Sequence, residues 1–155
     1  MANWLQSIFS APKPSGPPQT IRRFHTSDAT LSRDSITAVQ DRWVVDAKED
    51  RTIRLFEIHD PDAEHCLLTY RSTMKSEDLS GRAFLEMWCR LPGRGEFFSK
   101  GLNQAITGSS DWASYEIPFY LKKGQRPDLI KLNLVIEGRG TVSIRDVELL
   151  KAPLE

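Results

Sequence analysis

Two segments in the second half of the chain alternate strictly between apolar and polar residues. In residues 82–90 the apolar positions are Ala83, Leu85, Met87 and Cys89. In residues 130–137 they are Ile130, Leu132, Leu134 and Ile136. A period of two places each apolar set on one face of a β-strand. We therefore expect both sets in the core and the intervening residues on the opposite face.

Short runs rich in Val, Ile, Leu and aromatic residues fill most of the chain after residue 40. Clusters of Asp, Gly, Pro and Ser separate them, and no stretch of ten residues with a helical period competes. The predicted strands are 42–47, 52–58, 66–74, 82–90, 96–102, 112–121, 128–137 and 141–150. About eight such strands predict an all-β fold, an antiparallel β-sandwich of jelly-roll type.

The first nineteen residues differ in composition from the rest of the chain. Residues 11–19 hold four prolines and a glycine, which sustain neither a helix nor a ladder of hydrogen bonds. We predict an N-terminal segment with a linker at 1–19 and a β-sandwich domain at 20–155. An apolar stripe at helical spacing precedes the linker, formed by Trp4, Leu5, Ile8 and Phe9. It either docks on its own domain or contacts a protein partner.

Charge and hydropathy exclude several classes of function. Lys and Arg together number 21, and so do Asp and Glu, so no net charge attracts nucleic acid. No run approaches the roughly 20 apolar residues that a membrane span needs. The N-terminus lacks the basic and apolar regions of a signal peptide. We expect a cytoplasmic protein by default, and an extracellular one if a leader is missing.

The candidates for catalysis and metal binding have simpler interpretations. Residues 59–65, His-Asp-Pro-Asp-Ala-Glu-His, hold five potential metal ligands, but this composition is typical of a solvated turn between strands. A metal site there is the less favoured alternative. Cys66 and Cys89 lie in apolar runs, which predicts buried thiols, although neighbouring strands could still bring them into bonding range. We predict no catalytic residues, no metal and no cofactor.

The C-terminal third resembles the galactose-binding-like jelly rolls, a superfamily that includes many carbohydrate-binding modules. Gly108-Ser-Ser-Asp-Trp112 leads into Tyr115-Glu-Ile-Pro-Phe119, and Gly138-Arg-Gly-Thr-Val142 opens the last predicted strand. The resemblance implies a jelly roll that binds carbohydrate. Ser143 and Arg145 depart from the family pattern, which has an aromatic and an acidic residue there. Because guanidinium replaces a carboxylate, we expect no calcium ion beside Asp146.

The outward faces of the two alternating segments supply the candidate ligand site. An aromatic ring packs against a sugar ring, and amide or carboxylate groups bind its hydroxyls. The residues with this chemistry are Glu86, Trp88, Arg90, Asn133 and Glu137. We therefore predict a non-catalytic carbohydrate-binding module, with a structural or protein-interaction domain of the same fold as the alternative. Trp112 and Tyr115, at a strand entrance, are expected in the core.

Overall fold

Nine β-strands and one short 3₁₀ helix form the regular structure of residues 12–155, the part of the chain that this computed structural model describes. The strands are β1 (Gln19–Arg23), β2 (Ile36–Val39), β3 (Arg42–Ala47), β4 (Arg51–His59), β5 (Cys66–Leu91), β6 (Gly95–Lys100), β7 (Ile106–Leu121), β8 (Leu129–Glu137) and β9 (Gly140–Pro153). The 3₁₀ helix (Leu102–Gln104) lies between β6 and β7. All strand pairs are antiparallel.

Strand β5 belongs to both layers of the sandwich. Its residues 66–77 pair with β9 on one side, and residues 66–83 pair with β7 on the other, with interruptions after Met74. Its residues 82–90 pair with β8, and residues 86–91 pair with β6. The first sheet therefore has the strand order β2-β3-β9-β5-β7, with β1 also on β9, and the second sheet has the order β4-β8-β5-β6.

The chain passes from one sheet to the other at residues 76–82 of β5. The register with β7 shifts three times between Met74 and Arg82, and Asp78 adopts a left-handed φ of 51°. Bulges of this kind bend a strand and redirect its side chains. Gly81 lies against the neighbouring hairpin so closely that a Cβ would be 2.0 Å from the carbonyl oxygen of Glu137. Only glycine fits this approach of two backbones.

The inward side chains of both sheets form one apolar core. The two sets that alternation assigned to the core, Ala83 to Cys89 and Ile130 to Ile136, are all at most 2% exposed. Large side chains from both halves of β5 meet there, including Tyr70, Met74 and Met87. The core prediction is therefore confirmed.

The predicted all-β jelly-roll sandwich is confirmed, with three differences in detail. The segments 66–74 and 82–90 belong to one bent strand rather than two. β1 and β2 were not predicted, because each is a short, largely exposed edge strand. Residues 13–16 of the predicted linker also lie against the C-terminus, since the Ser15 N–H donates to the Pro153 carbonyl at 2.7 Å and Pro14 forms a bridge with Leu154. The domain boundary after residue 19 stays a prediction.

Candidate functional site

The outward side of the second sheet brings the predicted ligand-binding residues together, and we call it the Trp88 face. Its members are the outward side chains of β4, β8, β5 and β6. Strand register orders them in rows across the sheet. One row runs Arg54, Asn133, Glu86, Lys100, and the next runs Glu57, Lys131, Trp88, Phe98.

Two aromatic rings form the apolar centre of the Trp88 face. The ring centroids of Trp88 and Phe98 are 5.1 Å apart and the ring planes are tilted by 51°. Phe98 is 56% exposed and Trp88 is half-buried. The Lys100 ammonium lies 4.8 Å from the centre of the Phe98 ring, within the range of a cation–π contact. The pair therefore offers solvent an apolar surface bordered by a charged group.

A buried polar pair lies beside the aromatic rings. The Asn133 amide donates to Glu86 Oε1 at 2.8 Å, and both side chains are more than nine-tenths buried. Glu86 Oε2 lies 3.6 Å from Lys100 Nζ. From the core side, the Tyr70 hydroxyl donates to the Asn133 carbonyl at 3.2 Å. Burial, reinforced by the negative charge of Glu86, raises the pKa of Tyr70, so its hydroxyl stays protonated and available as a donor.

Ion pairs lie at both ends of the Trp88 face, and a third pair crosses it from β8 to β6. Arg90 donates to both carboxylate oxygens of Asp128, at 2.8 and 3.3 Å. This contact raises the pKa of Arg90 and lowers that of Asp128. At the other end Arg82 donates to Glu137, and on β6 Glu96 pairs with Lys131 at 2.8 Å. These pairs hold long side chains in defined positions around the aromatic centre.

All five predicted site residues lie on this one face. Asn133 is directly opposite Glu86 in the ladder, and Glu137 is opposite Arg82. Of the five, Trp88 is the side chain that presents an aromatic surface, while Glu86 and Asn133 bind each other. Three neighbours were missed by the sequence analysis, namely Phe98, Lys100 and Lys131. Alternation in residues 96–100 places Phe98 and Lys100 on one face of their strand. Only the register of β6 on β5 shows that this face is the one that carries Trp88.

The outward side of the first sheet carries a second tryptophan. Trp112 was expected in the core, and this is wrong, because its partly buried ring does not pack against the core and lies beneath the guanidinium of Arg145, 4.0 Å from the ring centre. Lys75 lies 5.7 Å from the same ring. Two outward cations stabilise Trp112 at the surface, which residue type alone does not reveal. Tyr115 is partly buried and packs against the core, as predicted.

Arg145 also occupies the place where the family pattern has a carboxylate. Its guanidinium lies 3.7 Å from the Asp146 carboxylate and 3.9 Å from that of Asp41. A positive group therefore already neutralises the oxygens that a calcium ion would need. The expected lack of a calcium response stays a prediction.

The loop at residues 59–65 joins β4 to β5 as a turn, as predicted. Asp60, Asp62 and His65 have left-handed φ angles of 49°, 55° and 48°. Asp62 and Glu64 pair with Arg126 instead of converging on a shared point. Within residues 12–155 no group of three or more His, Cys, Asp or Glu side chains could hold a metal ion.

Both cysteines are buried free thiols, as the apolar runs predicted. Burial raises the pKa of Cys66, although Lys151 and a backbone hydrogen bond from Glu64 act in the opposite direction. Burial also raises the pKa of Cys89, to about 12, with a smaller contribution from Cys66. The thiols therefore stay protonated and behave as small apolar side chains at neutral pH.

A cleft of about 460 Å³ lies away from the Trp88 face, beside the first sheet. It is lined by Arg71, Gln104, Ala105, Ser114, Tyr115 and Glu116. Arg71 donates to Glu148, and Gln104 accepts the Glu116 N–H at 3.3 Å, so several polar groups that line the cleft already have partners.

The described residues include no helix with the length and hydropathy to cross a membrane.

Comparison of the sequence with protein-family models and with curated proteins gives no match.

Solved structures of several carbohydrate-binding modules have a similar fold. The CBM22-1 xylan-binding domain of Paenibacillus barcinonensis Xyn10C has a TM-score of 0.59 at 12% identity, over 94% of this chain and all of that one. The Clostridium thermocellum Xyn10B CBM22-1–GH10 modules, complexed with xylohexaose, score 0.57 at 10% identity, over 84% of this chain and 28% of that one. A family 29 module complexed with mannohexaose scores 0.52 at 9% identity, over 88% and 92%. These likenesses show the jelly-roll fold.

Proposed function

We propose that this domain is a non-catalytic carbohydrate-binding module whose binding surface is the Trp88 face. The observation that carries the proposal is the pair of an exposed Phe98 and a half-buried Trp88, set among side chains that donate and accept hydrogen bonds. A pyranose has an apolar side of C–H groups and an edge of hydroxyls. An aromatic platform with neighbouring amide, carboxylate and ammonium groups matches both.

The shape of the surface favours a polysaccharide over a small sugar. One row of exposed or partly exposed side chains, running Glu57, Lys131, Trp88, Phe98, crosses all four strands of the Trp88 face, so a chain of sugar units can lie along it. Lys131 and Phe98 flank Trp88 in the same row, and Glu86 and Lys100 lie in the next row. Xylan, xylohexaose and mannohexaose are the first ligands to test, because structures of the same fold are described with them.

The second candidate is a protein-interaction domain of the same fold that binds no sugar. Exposed apolar side chains on and near β6 favour it, with Phe97 44% and Leu102 49% exposed. The predicted partner contact through Trp4, Leu5, Ile8 and Phe9 lies outside the described residues. Under this candidate the domain is stable and folded but retains no polysaccharide.

Replacing one tryptophan on each face tests the proposal. Trp88→Ala should weaken binding to xylohexaose or mannohexaose roughly thirtyfold, because an aromatic anchor contributes about 2 kcal/mol or more. Trp112→Ala, on the other sheet, is the matched control and should leave the affinity unchanged. Calorimetric titration measures the affinity, and far-UV circular dichroism checks the fold.

Two results would contradict the proposal. One is a wild-type chain that binds no polysaccharide on a broad array. If Trp88→Ala then also lowers stability by about 3–5 kcal/mol, the cost of truncating a fully buried aromatic, the interaction domain is supported. The other is a loss of binding in Trp112→Ala but not in Trp88→Ala.

A further inference from the structure

Strand β6 leaves one row of backbone groups without partners. Among residues 12–155 it pairs only with β5, so it forms an edge of the second sheet. The Gly101 N–H donates to the Leu85 carbonyl at 2.9 Å in the same register as the β5–β6 ladder. Donors alternate between the two sides of an antiparallel strand. The N–H and C=O groups that point to the open side therefore belong to Glu96, Phe98 and Lys100.

The opposite edge of the same sheet is covered. The N–H groups of Leu31 and Ser32 donate to the carbonyls of Leu55 and Arg54 on β4, at 3.0 and 2.8 Å. The Ser32 hydroxyl accepts the Arg54 N–H at 2.9 Å. No segment of the described chain covers β6 in this way. An uncovered edge strand is a template for another strand, and proteins usually blunt one.

Apolar side chains concentrate at this open edge. Five large apolar side chains are exposed among the described residues, and three of them, Phe97, Phe98 and Leu102, lie on β6 or just after it. The row of free backbone groups therefore has an apolar border. That combination fits a second β-strand better than it fits solvent.

We propose that the strand added to this edge is β6 of a second copy of the chain. If two copies meet antiparallel about Phe98, each Glu96 lies opposite Lys100 of the other copy. The three residues are two apart, so their free backbone groups all face the partner strand and their side chains share one face. Opposite charges directly across a ladder stabilise it, and like charges destabilise it. The edge is therefore complementary to itself about a twofold axis.

The dimer joins the second sheets of both copies into one. The twofold axis is perpendicular to the sheet, so the two Trp88 faces lie on the same side. The Trp88–Phe98 pairs of the two copies then form one continuous aromatic strip. The interface rests on the register and charges of β6 and does not depend on sugar binding.

Charge reversal tests this interface. Sedimentation equilibrium of the full chain should show a dimer that dissociates on dilution. Glu96→Lys or Lys100→Glu alone should weaken the dimer roughly tenfold or more, because each change places like charges opposite one another twice. The double variant should restore dimerisation. Mixing the two single variants should also restore it, since one chain then has two positive charges on the edge and the other has two negative charges.

Controls separate the interface from folding and from general charge effects. Circular dichroism and melting temperature check that each variant is folded. Lys48→Glu and Glu49→Lys, in the exposed turn before β4, should leave the dimer unchanged. The proposal is overturned if the wild-type chain stays monomeric at millimolar concentration, if single reversals leave the dimer intact, or if mixing the single variants restores nothing.

Discussion

The side chains of Asn133 and Glu86 face each other across β8 and β5, joined by a 2.8 Å hydrogen bond from amide to carboxylate. Both are buried, on a sheet face where the neighbouring Phe98 ring is exposed to solvent and the Trp88 ring is half-buried. The carboxylate therefore has a fixed donor on one side and the Lys100 ammonium on the other. A carboxylate held in this way is a rigid acceptor beside the Trp88 ring.

Replacing the donor of this pair with an acceptor should destabilise the domain. Asn133→Asp places a second carboxylate against Glu86, which should cost about 1–3 kcal/mol of unfolding free energy at pH 7. Urea unfolding at pH 7 measures the loss. Asn103→Asp, at an exposed position of the 3₁₀ helix, is the control, and an equal loss in both variants would contradict the mechanism.

Alkaline pH should destabilise the protein through Cys89. Burial raises the pKa of Cys89 from its ordinary value of 9.0 to about 12. The folded state therefore holds the thiol proton more tightly than the unfolded state does. This contribution is complete below about pH 9 and is lost progressively as pH rises toward 12. Urea unfolding at pH 7.5, 9 and 10.5 should show the fall, and Cys89→Ala should reduce its slope. If stability falls equally steeply with pH in the wild type and in Cys89→Ala, Cys89 is not the cause.

Adding a methyl group at Gly81 should be far more costly than adding one at Gly93. A Cβ at Gly81 would meet the Glu137 carbonyl oxygen at 2.0 Å, so the two backbones must separate. Gly93→Ala meets no atom within 4 Å and costs only its left-handed φ of 76°. We expect about 1 kcal/mol for Gly93→Ala and about 3 kcal/mol or more for Gly81→Ala. Thermal unfolding of both variants compares them, and similar losses would argue against a tight sheet crossing.

Calcium should not stabilise the domain. A ligand at 100 times its dissociation constant would add about 2.7 kcal/mol, which corresponds to a shift of several degrees. Because Arg145 lies against Asp146, we expect no change in melting temperature in millimolar CaCl₂. Magnesium at the same ionic strength is the control. A rise that EDTA reverses would show that other oxygens hold the ion.

The sequence predicts which face of a strand a side chain lies on, but it does not predict which strands are neighbours. Alternation assigned Leu85 to the core and Trp88 to the outside because side-chain direction depends only on period two. Which strands are neighbours depends on contacts between distant residues, so Phe98 was not placed beside Trp88. Trp112 was misassigned for a related reason. Its environment is made by Arg145 and Lys75, which lie on other strands.

The bend in β5 shows a second limit of the sequence. Residues 76–81, Ser-Glu-Asp-Leu-Ser-Gly, have the composition of a loop, and two strands were predicted around them. In the structure this segment is a run of bulges that keeps strand pairing while turning the chain. Composition indicates only a local preference for turns. It does not distinguish a loop from a bent strand that stays paired with its neighbouring strands.

Because β5 is an interior strand of both sheets, neither layer is an independent folding unit. Opening the first sheet along β5 removes the strand between β9 and β7, and the same strand lies between β8 and β6 in the second. The two layers should therefore lose their protected amide hydrogens together, in one cooperative transition. Most strand pairs join segments distant in sequence, so folding should also be slow for a chain of this size.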